Sequence, residues 1–259
     1  MGSASREALA HVKSTLTAEP LGVEAGADLL TASAQIDGAR ALLAAFADAS
    51  ASVDEKKKLV ERLFASASSG ARSVLLAAVS EAWSNPEEFI AGVEELGLRA
   101  IANSNGALAD ELLATAGVID GSHELELGLG SKLGDPAAKL ALVDRLFSGK
   151  LSSSALGVVR HLVANARGRK LGAALRGAAR LAADQGGSEL ATVTIAAPLS
   201  PAQEERVAAL LTRTAGRPVR VTTVLDPALV GGIRIQIGDD VIDGSVRTRL
   251  DDLRLQLAG

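Results

Sequence analysis

Cysteine and tyrosine are absent from the 259 residues, tryptophan occurs once and phenylalanine four times. Without cysteine there is no disulfide framework, no thiolate nucleophile and no sulfur-ligated zinc, and redox chemistry at sulfur is excluded. Aromatic residues make up 2%, so there are few rings on which bases could stack, which weighs against a single-stranded nucleic-acid binder. Nor is there a strong phosphate-attracting field, because 27 Lys+Arg stand against 31 Asp+Glu, a formal net charge of −4. No run of about 18 apolar residues occurs, and Met1 to His11 lacks a basic start followed by an apolar stretch. Neither a membrane span nor a signal peptide is therefore expected.

What the chain has in quantity is alanine, 49 residues of it within an apolar fraction of 47%. Alanine favours helices and lets them pack closely. Two stretches repeat. Ala27 to Gly38 (ADLLTASAQIDG) aligns without a gap on Asp110 to Gly121 (DELLATAGVIDG), 83 positions on. At the same offset Leu59 to Ala65 (LVERLFA) aligns on Leu142 to Ser148 (LVDRLFS), and Lys56 on Lys139. Three separated blocks in one register indicate an internal duplication. Within each copy apolar residues recur at helical spacing, Leu59, Leu63 and Phe64 in the first and Leu142, Leu146 and Phe147 in the second, which predicts that these positions face a core. Asn85-Pro86 interrupts the first copy where Asn165 to Arg169 interrupts the second.

After Gly186-Gly187 the period becomes alternating. Val193 and Ile195 are set against Thr192 and Thr194, and strand signals return at Val219 to Val224 and at Ile233, Ile235 and Ile237. Ser200-Pro201-Ala202-Gln203 reads as a capped helix start. From Ser245, Val246, Leu250, Leu253 and Leu257 form one stripe opposite charged residues. The expected fold class is thus mainly α with a C-terminal α+β domain: a helical bundle over 1–103, a related bundle over 104–188, and a small sheet packed with helices over 189–259.

No catalytic constellation emerges. His11 and His161 fall on expected helices and His123 in a connection, none at a zinc-ligand spacing, so no metal and no cofactor are expected. Gly128-Leu129-Gly130-Ser131-Lys132 resembles a phosphate loop but matches neither the P-loop nor the dinucleotide fingerprint. The pairs Glu87-Glu88 and Glu94-Glu95 read as solvated helix faces, and the second VIDGS, Val241 to Ser245, as a link between strand and helix. Charge is the more telling feature. Residues 1–103 carry 9 basic and 14 acidic groups, and residues 104–188 carry 10 and 8. Arg160, Arg167, Arg169, Lys170, Arg176 and Arg180 crowd the second copy where the first has Glu81, Glu87, Glu88, Glu94 and Glu95. Bundles of opposite charge select different partner surfaces.

Asp226-Pro227-Ala228-Leu229-Val230-Gly231-Gly232-Ile233-Arg234-Ile235, then Gly238-Asp239, then Val241-Ile242-Asp243-Gly244-Ser245 and a basic amphipathic stretch resemble the end of the delta subunit family of F-type ATP synthases, the counterpart of the oligomycin-sensitivity-conferring protein. Lys139, Leu146-Phe147 and Asn165-Ala166-Arg167-Gly168-Arg169 resemble that family's N-terminal helical domain. The likeness covers roughly residues 104–259, so the first copy is additional to the family's usual two domains, and the tyrosine common in its opening helix is missing. The resemblance implies a non-catalytic stator subunit in proton-driven ATP synthesis, peripheral to the cytoplasmic face of the bacterial cell membrane. It also implies two partners, the alpha subunits of the catalytic head for the helical domain and the membrane-anchored b subunit for the C-terminal domain. On that footing Arg160, Arg167, Arg169 and Arg176 are the head-docking candidates, and Leu250, Leu253 and Leu257 the stalk-docking ones. A helical-repeat adaptor unrelated to the synthase, and an enzyme with a dispersed site, stand as alternatives.

Overall fold

A computed structural model of the chain describes residues 1–18, 21–48, 50–131, 134–226, 229, 231–237 and 240–244. Helices α1 (Ser3–Ala18), α2 (Val23–Gly38), α3 (Arg40–Ala47), α4 (Val53–Leu63), α5 (Ser69–Ser80) and α6 (Pro86–Ser104) come first. They are followed by α7 (Leu108–Asp120), α8 (His123–Gly130), α9 (Pro136–Phe147), α10 (Ser153–Ala164) and α11 (Leu171–Gln185). Five of these starts, those of α4, α6, α8, α9 and α10, carry a side chain that accepts from an orphan backbone N–H group. Ser52 accepts from Glu55 N–H ahead of α4, and 83 positions on Asp135 accepts from Ala137 and Ala138 ahead of α9. Asn85 caps α6, with Pro86 in the first turn. His123, expected in a connection, instead opens α8. Ser122 caps that helix by accepting from Leu125 N–H, and Glu124 and Glu126 lie in its first turn, where negative charge favours a helix start.

The offset that aligns the sequence blocks also aligns the helices. Arg40–Ala47 and His123–Gly130 fall on each other end to end, and α2, α4 and α5 fall on α7, α9 and α10 to within two residues at either end. At that same offset α1 begins where α6 begins, and α6 falls on α11, so α6 stands last in the first series of six helices and first in the second. A shared helix ties the two copies together. Both lie in one compact unit, Met1–Ala182, and the rest of the chain, Ala183–Gly259, forms another.

Helix α6 is buried along almost its whole length, from Phe89 to Ala102. It crosses α2 at Gly26 and Gly97, where a Cβ on Gly26 would stand 2.7 Å from Gly97 O and one on Gly97 would stand 3.0 Å from Gly26 O. Only backbones without side chains approach so closely. Trp83 folds over Gly92, donates from Nε1 to Ala78 O at 2.8 Å and meets Phe89 edge-on at 5.6 Å, while Phe46 lies 5.9 Å from Phe89 on another side. Val60 and Phe64 are buried in the first copy and Val143 and Phe147 in the second. Leu63, expected in the core, is 47% exposed, and Leu146 is half-buried. The inward stripe on these helices runs through positions four apart, Lys56, Val60 and Phe64, and turns Leu63 about a quarter-turn away.

In the second unit β1 (Glu189–Ile195), α12 (Pro201–Ala215), β2 (Val219–Leu225), β3 (Ile233–Ile237) and β4 (Asp240–Asp243) build a mixed sheet of order β2-β1-β3-β4. Strand β1 pairs parallel with β2 and antiparallel with β3, and β3 pairs antiparallel with β4. Val193, Ile195 and Ile235 meet Leu211 and Val207 of α12 in a small core. Ser200 and Gln203 form the expected capping box, with Ser200 N–H donating to Gln203 Oε1 at 2.8 Å. Val241 to Asp243, expected as a link, is the edge strand β4, whereas the same Val-Ile-Asp at 118–120 ends α7. The β3 ladder captures the second occurrence and the amphipathic stripe of α7 the first. The stripe Val246, Leu250, Leu253 and Leu257 lies outside the described residues.

Phe64→Ala and Phe147→Ala should each cost about 3–5 kcal/mol, and Leu63→Ala within about 0.5 kcal/mol, as read from urea unfolding. Equal losses at Leu63 and Phe64 would contradict the assigned inward face.

Candidate docking surfaces

The four arginines of the second copy are placed by α10, α11 and the connection between them, and each meets a carboxylate of the same chain. Arg160, on α10, reaches Asp144 of α9, Nη2 to Oδ2 at 2.7 Å, with both side chains part-exposed. Arg176, on α11, pairs with Asp120 at the end of α7. Gly172 makes room for that carboxylate, since a Cβ there would collide with Asp120 Oδ1. Arg167 and Arg169 converge on one residue, Glu94 of α6. The stalk candidates Leu250, Leu253 and Leu257 lie outside the described residues.

Glu94, read from sequence as a solvated helix position, is 4% exposed. It falls in the stripe Ile90, Glu94, Leu98 and Ala102, every member of which is buried. Both of its oxygens are engaged. Arg169 donates from Nη1 to Oε1 at 2.8 Å and from Nη2 to Oε2 at 3.3 Å, His161 Nε2 lies 3.1 Å from Oε2, and Arg167 Nη2 also donates to Oε2. Burial raises the pKa of this carboxyl, but the hydrogen bonds from His161 and Arg169 and the charges of Arg167 and Arg169 outweigh it and hold the group at about 2, against an ordinary 4.5. The connection is shaped to deliver them. Arg167 adopts φ 46°, the one non-glycine residue with positive φ among those described, and Gly168 follows at φ 78°. Left-handed backbone at a residue with a Cβ costs roughly 1–2 kcal/mol, which the charge-assisted pair with a buried carboxylate offsets.

The matching connection of the first copy is also held to a helix, from a position that is not the counterpart of Glu94. In the first copy Ser84, 83 positions before Arg167, accepts at Oγ from Ser5 N–H of α1 at 3.3 Å, and its own N–H donates to Ser5 Oγ at 2.9 Å. Helix α1 thus holds the α5–α6 connection as α6 holds the α10–α11 connection. A repeated contact secures the fifth helix of each series. Asp28 Oδ2 accepts from Ser68 N–H at 2.8 Å ahead of α5, and its counterpart Glu111 accepts at Oε1 from Ser152 N–H at 2.5 Å ahead of α10. A carboxylate at a helix N-terminus meets both orphan N–H groups and the positive end of the dipole. Much of the charge contrast between the copies is therefore satisfied within the chain.

Two concave surfaces border these arginines. An apolar groove of about 540 Å³ runs between α2, α6, α9 and α10, walled by Leu30, Ile101, Leu140 and Gly157 and edged by Arg160 and His161. A basic groove lies at the α10–α11 connection, edged by Arg167 and Arg169. Among the described residues no group of three His, Asp or Glu side chains could hold a metal ion, and no helix is long and apolar enough to cross a membrane.

Residues 98–257 match the family described as ATP synthase delta (OSCP) subunit. The chain is 44% identical to the ATP synthase subunit delta of Leifsonia xyli subsp. xyli over 268 residues, covering 100% of both chains. It is 35% identical to that of Corynebacterium diphtheriae, again over 100% of both, and 34% identical to that of Streptomyces coelicolor over 100% of this chain and 98% of the other. These full-length matches include the first helical copy, most of which precedes the family match. A chain of the Toxoplasma gondii mitochondrial ATP synthase hexamer aligns with 64% of this one at 24% identity and a TM-score of 0.40, too low to argue a shared fold.

The depressed carboxyl of Glu94 ties stability to pH. Its contribution is fully present above 4.5, the unfolded value, and is lost as pH falls toward about 2, the folded one. The loss should reach about 3 kcal/mol, and thermal unfolding in Glu94→Gln should lack that part of the acid dependence. An identical acid profile in the variant would contradict the assignment.

Proposed function

Since the chain belongs to the ATP synthase delta (OSCP) subunit family, we propose that it is a stator subunit of the peripheral stalk, joining the catalytic head to the membrane-anchored b subunit while the rotor turns. The functional parts are 1–103, 104–188 and 189–259. The second helical copy, 104–188, docks on the alpha subunits of the head through apolar helix faces, assisted by some of Arg160, Arg167, Arg169 and Arg176. Residues 189–259, with Leu250, Leu253 and Leu257, dock on the b subunit. The protein sits at the cytoplasmic face of the cell membrane, reaching it only through partners, and carries no active site of its own.

The observation that carries this reading is the full-length identity to delta subunits, 44% with no part of either chain left over. The molecule's build supports it. Two compact units of unlike architecture suit two unlike partners, and the apolar groove beside Arg160 offers a surface of the kind that receives an amphipathic helix. Because each arginine is already paired within the chain, its contribution to docking lies in steering and in rim contacts rather than in a bare buried charge.

Binding to a synthase head freed of its own delta subunit, and to the soluble part of the b subunit, tests the assignment. Deleting 189–259 should abolish binding to b and spare binding to the head. Loss of head binding instead would reverse the assignment of partners to domains. In equilibrium dialysis the full chain should show no micromolar ATP binding, and a nucleotide site found there would overturn the stator-only role.

A further inference from the structure

The connection between α6 and α7 carries Asn105-Gly106, the one Asn-Gly pair in the chain. Glycine leaves its own backbone nitrogen open to the side-chain amide before it, and asparagine is among the thermolabile residues. Here that amide is a hub. Asn105 N–H donates to Ile101 O and Ala102 O at the end of α6. Its Nδ2 lies 3.0 Å from Glu111 Oε2, 3.0 Å from Ser152 Oγ and 3.0 Å from Ser154 Oγ, so a two-hydrogen donor serves three oxygens. Its Oδ1 accepts from Ala107 N–H at 3.0 Å. One side chain thus ties the end of α6 to the starts of α7 and α10. Burial raises the pKa of Glu111, but the hydrogen bonds from Ser152 and Asn105 outweigh it and hold the carboxyl below its ordinary range. At the 83-residue offset the first copy has Gly22, with no side chain to play this part.

We propose that Asn105-Gly106 is a self-modifying site, a deamidation site that the hub holds shut and whose conversion releases the start of α10. In the reaction Gly106 N gives up its proton to solvent and bonds to Asn105 Cγ, the Cγ–Nδ2 bond breaks, and the nitrogen leaves as ammonia. Water then opens the cyclic imide at either carbonyl. The product is an aspartyl residue or, with the main chain rerouted through the side chain, an isoaspartyl one. Water is the sole co-reactant. While Nδ2 is held by Glu111, Ser152 and Ser154 and Oδ1 by Ala107, Cγ is kept from swinging toward Gly106 N, so the reaction waits for local opening of the connection. After conversion an acceptor stands where a donor stood, and a second carboxylate faces that of Glu111, which it repels. The hold of Glu111 on Ser152 N–H then weakens, and with it the start of α10, the helix that carries Arg160 and His161.

The test incubates the full chain in mildly alkaline buffer at physiological temperature and sequences its 100–132 tryptic peptide by mass spectrometry, with the isoaspartyl product read by an isoaspartyl methyltransferase. Amide loss should fall on Asn105 rather than Asn103 and run about tenfold slower in the folded chain than in urea. Glu111→Gln, which keeps the shape but removes the charged acceptor, should speed it about fivefold in the folded chain and leave the rate in urea unchanged. Gly106→Ala should slow it in both states, and because a Cβ there meets nothing within 4 Å, the fold is kept. Asn105→Asp, which carries the charge of the product, should lower hydrogen-exchange protection at the start of α10 and spare α5. Equal rates in the folded chain and in urea, or no acceleration in Glu111→Gln, would overturn the hub's hold on the site. Amide loss at Asn103 in place of Asn105 would overturn the site itself, and unchanged protection of α10 in Asn105→Asp would overturn the release.

Discussion

The carboxylate of Glu94 lies inside α6 with His161, Arg167 and Arg169 closing on it from the second helical copy. A carboxylate withdrawn from water is costly unless charge and hydrogen bonds replace its hydration. Glu94 therefore dictates its surroundings: two arginines must reach it from one short connection, and Arg167 and Gly168 take left-handed backbone to bring them there. The buried carboxylate, the bent connection and the packing of α10 against the first copy form one arrangement, and removing the carboxylate would leave two guanidinium groups facing each other beside an apolar core. Charge here fixes how the α10–α11 connection closes on the helix that the two series share.

A stator must resist torque, and a chain made of two freely jointed bundles would do so poorly. Sharing α6 removes the joint. The helix that completes the first series begins the second, so there is no linker at which the copies could swivel. The repeated carboxylate contacts of Asp28 and Glu111 fix the fifth helix of each series by the same physics. A serine pair holds the α5–α6 connection and an ion cluster the α10–α11 connection, from helix positions that the 83-residue offset does not equate. The matches to relatives over their whole length take in residues 1–97, which precede the family match.

Much of this was legible in the residues. The blocks ADLLTASAQIDG and LVERLFA with their counterparts carry the 83-residue offset at which the helices recur, and the glycine-rich end carries the family resemblance. The shared role of α6 was not visible, because α1, α6 and α11 occupy equivalent places while their sequences have diverged, one rich in alanine and serine and another in glutamate. Glu94 was misread because local composition, Glu94-Glu95, suggests a solvated face. The signal that could have found it is its place in the stripe Ile90, Glu94, Leu98, Ala102, a charge at a core spacing with unmatched arginines elsewhere in the chain. Leu63 was misread for the opposite reason, since a leucine next to a phenylalanine satisfies a loose helical period equally well and only packing decides between them. Val241 to Asp243 shows the same limit: identical residues form a helix end at 118–120 and a strand at 241–243.

Native-state hydrogen exchange on the full chain tests most directly whether Glu94 and α6 make the two copies one mechanical body. The core amides of α5 and α10 should open with the same free energy, as one cooperative unit, and Glu94→Gln should separate them, lowering protection in α10 and α11 more than in α5. Two copies that already exchange at different free energies in the unaltered protein, with no change in either on Glu94→Gln, would contradict the account.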